Sequence, residues 1–441
     1  MSSAGSERAR AGLVALFVVG GLIRLHNAFA YPPFYGFDVP YNWEYVQLLC
    51  AGFQLPHPEA GWAFGHPPLF YWIAALAGRA LGCAEPGPAI VAVRLLSSAA
   101  GLAAIAAVVA LVRRAEPGAE RRALFAGGLL LLLPAHVQMS ASFGEEMLAS
   151  SLATGAVVLA ALAPAGPRSL RADLGRGALV GLLAGLALLT KLTGVLALAA
   201  ILGAEAASGW RTGALRRAAA RAAAAALVAA AVGGWYYGRN LVQYGYVYPH
   251  DLPVHAEMHR QRPGRRTLYD YVYVPRAALT DGRVRHPDML RSVWGGTYAT
   301  AWYDGHRHFL PKEGVGVRRL GVAVLALALL PTAAFAVGAW GGLRRALRRT
   351  RGPDPVLLLL AGATLAGYAF FTWRNPWWST VKATYMLGAA APFAFYASEP
   401  LARWSAAPGA RGALVRAALA ALALLVAAAF SYGLVWAGGG R

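Results

Sequence analysis

The chain has 441 residues, of which 58% are apolar and only 14% are charged. The apolar residues form long blocks separated by short polar segments, whereas a soluble chain of this length would divide into domains with polar surfaces. The net charge of +21 comes from arginines that cluster between these blocks. That distribution is typical of membrane topology and not of a nucleic-acid groove, so we expect no nucleic-acid partner.

The N-terminal apolar run begins after Arg8 and Arg10, and Ala28-Phe29-Ala30 after it resembles a signal-peptide cleavage site. Because Arg24 and His26 interrupt the approach to that site, we expect a retained signal-anchor helix instead.

Eleven apolar segments predict one all-α polytopic membrane domain over residues 1–441, with about eleven spanning helices. In chain order the segments are 11–30, 88–112, 123–140, 147–163, 177–190, 193–208, 220–238, 319–340, 356–373, 383–399 and 413–436.

The arginine-rich connections between these segments all fall on one side, which the positive-inside rule assigns to the cytoplasm. A first outer loop at 31–87 and a large outer loop at about 239–318 then lie on the opposite face. The apolar run 67–82 would invert this arrangement if it crossed, so we expect it to form an interfacial helix. An alanine-, glycine- and arginine-rich composition points to a prokaryotic inner or plasma membrane, with outer groups on the periplasmic or extracellular side.

The stretch 178–208 is too long for one span and short for two. The arginine-rich connections before and after this stretch lie on the same side of the membrane only if it crosses twice, an argument from charge parity. We therefore predict two short helices that break at TKLTG, residues 190–194. Lys191 then lies in the outer half of the membrane, where an ionisable group is a functional candidate.

Acidic residues on the outer side have two interpretations each. Asp38 precedes Val39-Pro40 and either caps a short helix or acts as a general base on an acceptor hydroxyl. Glu145 and Glu146 either sit favourably at a helix N-terminus or contact an acceptor or a divalent cation. We predict that Asp38, Glu145, Glu146 and Lys191 face one outer cavity.

Cations and rings complete the candidate site. Lys191 could bind a donor phosphate with His66, Arg239, Arg374 and Lys382, although such side chains commonly anchor helix ends. The rings that could stack on a sugar, or serve as an interfacial belt, are Tyr41, Tyr71, Trp294 and Trp302.

Metal and disulfide chemistry remain open. His250, His255 and His259, with Asp251 and Glu257, lack a third metal ligand at reliable spacing, so the metal and cofactor are unknown and a divalent cation stays an option. Cys50 and Cys83 share the first outer loop, and two cysteines alone do not define a disulfide. Because phosphate-binding and serine-hydrolase motifs are absent from the sequence, an activated lipid should supply the energy for any transfer.

The segments GFDVPYNWEY, GHPPLFYWIAAL, SFGEEMLA, GLALLTKLTG and WYYGRNLVQYGYVYP resemble, in this order, the GT-C superfamily of membrane glycosyltransferases. The nearest branch is family 39, which includes protein O-mannosyltransferases and lipid A aminoarabinose transferases. The resemblance implies inverting transfer of a monosaccharide from a polyprenyl-phosphate donor to a lipid, glycan or protein acceptor. It implies Asp38 as base, Glu145 or Glu146 as the second-loop acid and Lys191 as a phosphate ligand. The chain departs from the family at Val39, at His66 and at Lys382-Ala-Thr-Tyr385.

Two other classes compete with a transferase. A transporter or flippase of lipid-linked sugars would also need a charged intramembrane cavity, but no repeat relates the two halves of the sequence. A catalytically inert assembly subunit would tolerate loss of Asp38 and Lys191.

Overall fold

The computed structural model describes residues 3–162, 169–250, 252–311, 314–348 and 352–435. These residues are predominantly helical, and their extended pairing is limited to a bridge between Pro263 and Trp377. The helices are α1 (Ser3–Ala30), α2 (Val39–Gly52), α3 (Leu69–Leu81), α4 (Pro86–Ala115), α5 (Glu120–Leu131), α6 (Pro134–Ser140), α7 (Glu146–Ala161), α8 (Leu170–Thr190), α9 (Gly194–Thr212), α10 (Leu215–Ala229), α11 (Trp235–Tyr244), α12 (Ala256–His259), α13 (Ala277–Thr280), α14 (Val293–Trp302), α15 (Val315–Arg348), α16 (Asp354–Arg374), α17 (Ala390–Ser405) and α18 (Gly409–Ala429).

Seven helices among the described residues are long and apolar enough to cross a membrane, and an eighth span follows if α5 and α6 form one. The two helices of that pair are bent by 59°, at a break that Pro134 accounts for because it cannot donate to the preceding turn. An all-α membrane fold is thus confirmed. The count of eleven spanning helices stays a prediction, because several predicted spans correspond to shorter helices such as α7.

Two predicted local features are confirmed. Helix α8 ends at Thr190 and α9 begins at Gly194, so the break lies within TKLTG. The run after Pro67-Pro68 forms α3, whose 13 residues extend about 20 Å and are too short to cross the hydrocarbon core. The interfacial position of α3 stays a prediction.

Helix α1 continues past Arg24 without a break, over Ser3–Ala30. The Arg24 side chain is fully buried and donates to the backbone carbonyl of Leu131 at 2.9 Å. Asn27 donates to the carbonyl of Phe430 at 2.7 Å, just beyond α18. These bonds fix α1 to elements distant in the sequence, because buried polar groups must find partners.

Close approach of small residues brings α8 against α10. A Cβ added at Gly181 would meet the carbonyl oxygen of Ala225, and one added at Gly185 would lie 2.9 Å from the Cα of Ala229. Small residues permit such backbone contact between membrane helices. The packing holds the C-terminal end of α8, and therefore Lys191, in a fixed position.

A disulfide between Cys50 and Cys83 joins α2 to the segment after α3. The sequence left this pairing open. The bond ties the two helices of the first loop at their C-terminal ends, while Asp38 and His66 precede their N-terminal ends.

Candidate functional site

Asp38 stands at the N-cap position of α2, yet its side chain caps no backbone N–H group. The capping interpretation is therefore wrong. Its backbone is left-handed, with φ 56°, a conformation that is uncommon outside glycine. The carboxylate is 42% exposed and lies 3.6 Å from the Nζ atom of Lys382. A strained, exposed carboxylate beside a cation is an arrangement associated with functional sites.

Lys382 lies at the start of the 3-10 helix Ala383–Ala389 and is largely buried. Its Nζ atom is 4.4 Å from the centre of the Phe37 ring. Burial opposes the charge, but the carboxylate of Asp38 and neighbouring groups hold the pKa of Lys382 above its ordinary value. This lysine therefore remains a cation at neutral pH.

The loop Asp304–Phe309 brings two histidines to the same place. Asp304 accepts hydrogen bonds from the backbone N–H groups of His308 at 3.1 Å and Phe309 at 2.6 Å, which shapes the loop. The ring centres of His306 and His308 lie 5.7 and 4.5 Å from that of Phe37. His308 is exposed, whereas His306 is half-buried and contacts the carbonyl of Val381 at 3.0 Å.

Arg285 adds a further cation. Its guanidinium lies 3.9 Å from the centre of the Trp378 ring, and its side chain is exposed. Within the described ranges it forms no ion pair. We call Asp38, Arg285, His306, His308 and Lys382 the open cluster. Arg285, His306 and His308 were not among the residues predicted from the sequence, although the HRH pattern at 306–308 is a recognisable signal.

A second group, Glu145, Glu146, Lys191, His66 and Tyr71, is the closed cluster. The Nζ atom of Lys191 lies 2.8 Å from Glu145 and 3.0 Å from Glu146. The Glu145 side chain is only 3% exposed and that of Lys191 is 15% exposed. One cation thus faces two carboxylates, so Lys191 is fully compensated.

His66 and Tyr71 extend the closed cluster into the first loop. The Nδ1 atom of His66 lies 3.2 Å from Glu145 and 2.9 Å from the Tyr71 hydroxyl. That hydroxyl donates to the side-chain oxygen of Asn42 at 2.9 Å. Asn42 in turn donates to the carbonyl of Phe143 at 3.2 Å. The network connects α2, α3 and the N-terminus of α7.

Tyr385 separates the two clusters. Its ring centre is 5.5 Å from the Nζ atom of Lys191, and it follows Lys382 in the same turn. A cavity of about 20 Å³, room for roughly one water, is lined by Glu146, Lys191 and Tyr385. Asp38 is not part of its lining, and the single outer cavity shared by Asp38 and Lys191 stays a prediction.

The four candidate rings differ in access. Tyr41 is 41% exposed and stacks on Trp62, with ring centres 4.8 Å apart. Trp294 is half-buried beside Tyr368. Tyr71 and Trp302 are 0% and 4% exposed and pack against other aromatic rings. Sugar stacking by these two residues is therefore a wrong prediction, because neither ring has an accessible face.

Two predicted phosphate ligands lie outside both clusters. Arg239 bonds to Tyr244 and Asn240, and Arg374 is exposed at the end of α16. Of the possible zinc ligands, Asp251 lies outside the described residues. Among the residues that are described, no group of three or more histidine, cysteine or acidic side chains is arranged to hold a metal ion.

Comparison with known proteins supports a common architecture. A family model for dolichyl-phosphate-mannose-protein mannosyltransferase matches residues 65–236, less than half of the chain. This stretch contains His66, Glu145 and Lys191, but neither Asp38 nor Lys382. No curated protein sequence matches the chain.

Solved structures show the fold more fully. The oligosaccharyltransferase of Archaeoglobus fulgidus superposes with a TM-score of 0.57 at 17% identity, covering 97% of this chain and 53% of its own. The same archaeal enzyme, AglB, with an inhibitory peptide and a dolichol-phosphate gives a TM-score of 0.52 at 17% identity, covering 97% and 56%. ArnT from Cupriavidus metallidurans, bound to undecaprenyl phosphate, gives 0.44 at 17% identity, covering 89% and 79%.

The chain spans about half the length of the archaeal oligosaccharyltransferase, and identity at this level defines the fold alone. The described residues thus form an all-α membrane fold of the kind seen in the archaeal oligosaccharyltransferase. The resemblance to GT-C glycosyltransferases such as mannosyltransferases is confirmed.

Proposed function

We propose that the chain is an inverting glycosyltransferase that moves a monosaccharide from a polyprenyl-phosphate donor to an acceptor hydroxyl. The matching family is described by a dolichyl-phosphate-linked donor, and AglB was solved with a dolichol-phosphate. Both facts support a lipid phosphate as the leaving group. The acceptor is a lipid, glycan or protein.

The observation that carries this proposal is the exposed Asp38 carboxylate, 3.6 Å from the Nζ atom of Lys382. Inverting transfer needs a base for the acceptor and a cation for the departing phosphate. The separation is longer than a tight ion pair, so a phosphate can compete for the lysine. The Asp38 side chain makes no capping hydrogen bond to its own helix, so its carboxylate is not engaged there.

In the reaction, the carboxylate of Asp38 takes the proton of the acceptor hydroxyl as its oxygen attacks the anomeric carbon. The bond between that carbon and the phosphate oxygen breaks, and its electron pair stays with the polyprenyl phosphate. Lys382 neutralises the charge that develops there, assisted by Arg285 and by His308 when it is protonated. Inversion follows from this single displacement.

The closed cluster has a positioning role in this account. Lys191 is compensated by two carboxylates and is therefore a weaker phosphate ligand than Lys382. It holds Glu145 and Glu146 at the N-terminus of α7, with His66 and Tyr71 linking them to the first loop. Glu146 lines the narrow cavity and is the better placed of the two acids to contact an acceptor.

The reaction is proposed for the periplasmic or extracellular face of a prokaryotic plasma membrane. Arginine-rich connections favour the opposite, cytoplasmic side. The disulfide between Cys50 and Cys83 supports an oxidising environment for the first loop. Both observations support an outer location for Asp38.

The test is transfer by membranes that contain either the wild-type chain or Asp38→Asn. Undecaprenyl phosphates carrying radiolabelled mannose, glucose or aminoarabinose serve as donors, and label in lipid, glycan and protein fractions is counted. The wild type should transfer at least one of these sugars, and Asp38→Asn should be slower by about 10²–10⁴ at an unchanged melting temperature. Near wild-type turnover by the variant would refute the mechanism. Movement of donor across vesicles without covalent transfer would support a flippase instead.

A further inference from the structure

An apolar groove separates α1 from α4 near the ends of these helices that carry arginines. Its volume is about 780 Å³, within the range of pockets that hold small molecules. Val14, Phe17 and Val18 line one wall, and Val109 and Ala110 line the other. Val14 and Val18 are 63% and 54% exposed.

Basic side chains border one end of the groove. Arg113 and Arg114, in the last turn of α4, contribute to its lining. Glu120 of α5 pairs with Arg10 of α1 at 3.0 Å and with Arg113 at 2.8 Å.

Arg114 is the uncompensated member of this rim. It is exposed and has no ion pair with any residue that the structure describes. The nearby Glu116 is occupied by Arg122 at 2.9 Å. Glu120 thus pairs with two arginines while Arg114 has no carboxylate partner among the described residues, which leaves the end of an apolar groove with excess positive charge.

We propose that this groove binds an anionic phospholipid, with an acyl chain between α1 and α4 and the phosphate on Arg113 and Arg114. Both helices are long and apolar enough to span a membrane, so the groove opens towards lipid. Basic pockets between membrane helices on the arginine-rich side recognise anionic headgroups. A neutral lipid would fill the apolar part equally well, so the rim charge determines the preference.

This site is separate from the proposed donor site. The groove contacts the N-terminal half of α1, whereas Asp38 follows its C-terminal end at Ala30. A lipid bound here would join α1 to α4 and stabilise the helices that lead into the first loop. The proposal does not depend on which sugar is transferred.

The experiment measures the Tm of the purified full-length protein in detergent. Phosphatidylglycerol, phosphatidylcholine with the same acyl chains, and inorganic phosphate are added separately. Phosphatidylglycerol should raise the Tm by roughly 2–4 °C, and the other two should have less than half this effect. Arg114→Ala should remove the difference between the two lipids. The matched control is Arg348→Ala, an exposed arginine in the last turn of α15, which should keep it.

A second experiment tests whether the acyl chain lies in the groove. Ala110→Trp adds volume to the groove wall, and native mass spectrometry should then retain less phosphatidylglycerol than with the wild type. Equal stabilisation by both lipids, or by inorganic phosphate alone, would overturn the proposal. An unchanged lipid preference in Arg114→Ala would also overturn it, as would its loss in Arg348→Ala.

Discussion

The closed and open clusters contain similar side chains in different surroundings. In the closed cluster, Lys191 is 15% exposed and contacts two carboxylates at 2.8 and 3.0 Å. In the open cluster, Lys382 is 10% exposed but faces one carboxylate at 3.6 Å, and that carboxylate is 42% exposed. A compensated, enclosed lysine mainly supports structure, whereas a cation beside an accessible acid is available for chemistry.

Lys191→Met should produce the largest loss of stability, because it leaves Glu145 buried and without its cation. Breaking a buried ion pair typically costs about 3–5 kcal/mol, and the partial exposure of Lys191 favours the lower end. Thermal unfolding in detergent measures the effect. Lys191→Arg keeps the charge and serves as control. An unchanged Tm in Lys191→Met would show that the closed cluster is not a structural unit.

Removal of the disulfide should have the next largest effect on stability. The combined change Cys50→Ser and Cys83→Ser frees the ends of α2 and α3, and loss of such a link typically costs about 2–4 kcal/mol. A lower Tm is expected, with addition of a reductant reproducing it in the wild type. If the variant matched the oxidised protein in Tm, the two helices would be fixed by packing alone.

Arg285→Ala tests the rim of the open cluster. The change removes a cation held over Trp378, so the KM for a polyprenyl-phosphate donor should rise about tenfold, or about 1.4 kcal/mol. Initial rates at varied donor concentration measure it. Arg265→Ala, at an exposed arginine of the same 239–318 segment, should leave KM unchanged. Equal effects of both variants would indicate general electrostatic attraction instead of a defined contact.

His306 gives the smallest predicted effect, a dependence of stability on pH. Burial and the charge of Lys382 hold the pKa of His306 well below its ordinary value. In the unfolded chain His306 therefore becomes protonated near pH 6.5, whereas in the folded chain it stays neutral at that pH. The contribution of the neutral His306 to the free energy of unfolding is fully present above that pH. It declines as the pH falls, by at most about 1.4 kcal/mol per pH unit. His306→Asn should reduce the fall in Tm between pH 7 and pH 5. A fall identical to that of the wild type would contradict the assignment.

Local sequence signals predicted the parts of this molecule that depend on chain neighbours. The break between Thr190 and Gly194 followed from length and charge parity, and the same parity placed Lys191 on one side of the membrane with Glu145 and Glu146. Asp38 was a candidate base from its position before Val39-Pro40 as well as from the family resemblance. Its left-handed backbone was not foreseen, because an aspartate at a helix start normally accepts a hydrogen bond from a helix N–H group.

Long-range packing explains what the sequence did not reveal. Arg285 and His306 join the open cluster through Trp378 and Val381, contacts that link the 239–318 segment to a part of the chain distant in sequence. The sequence pattern around Tyr71 predicted an accessible aromatic ring, yet Tyr71 stacks on Tyr45 with ring centres 4.3 Å apart. Spacing along the chain does not encode such contacts.

The central claim is that the donor phosphate binds at Lys382 and not at Lys191. Its most direct test is the affinity of purified Lys382→Met for undecaprenyl phosphate, measured at equilibrium beside the wild type and Lys191→Arg. The account predicts a Kd at least about ten times higher for Lys382→Met, little change in its Tm, and a wild-type Kd for Lys191→Arg. A Lys382→Met protein that binds as tightly as the wild type would contradict the account.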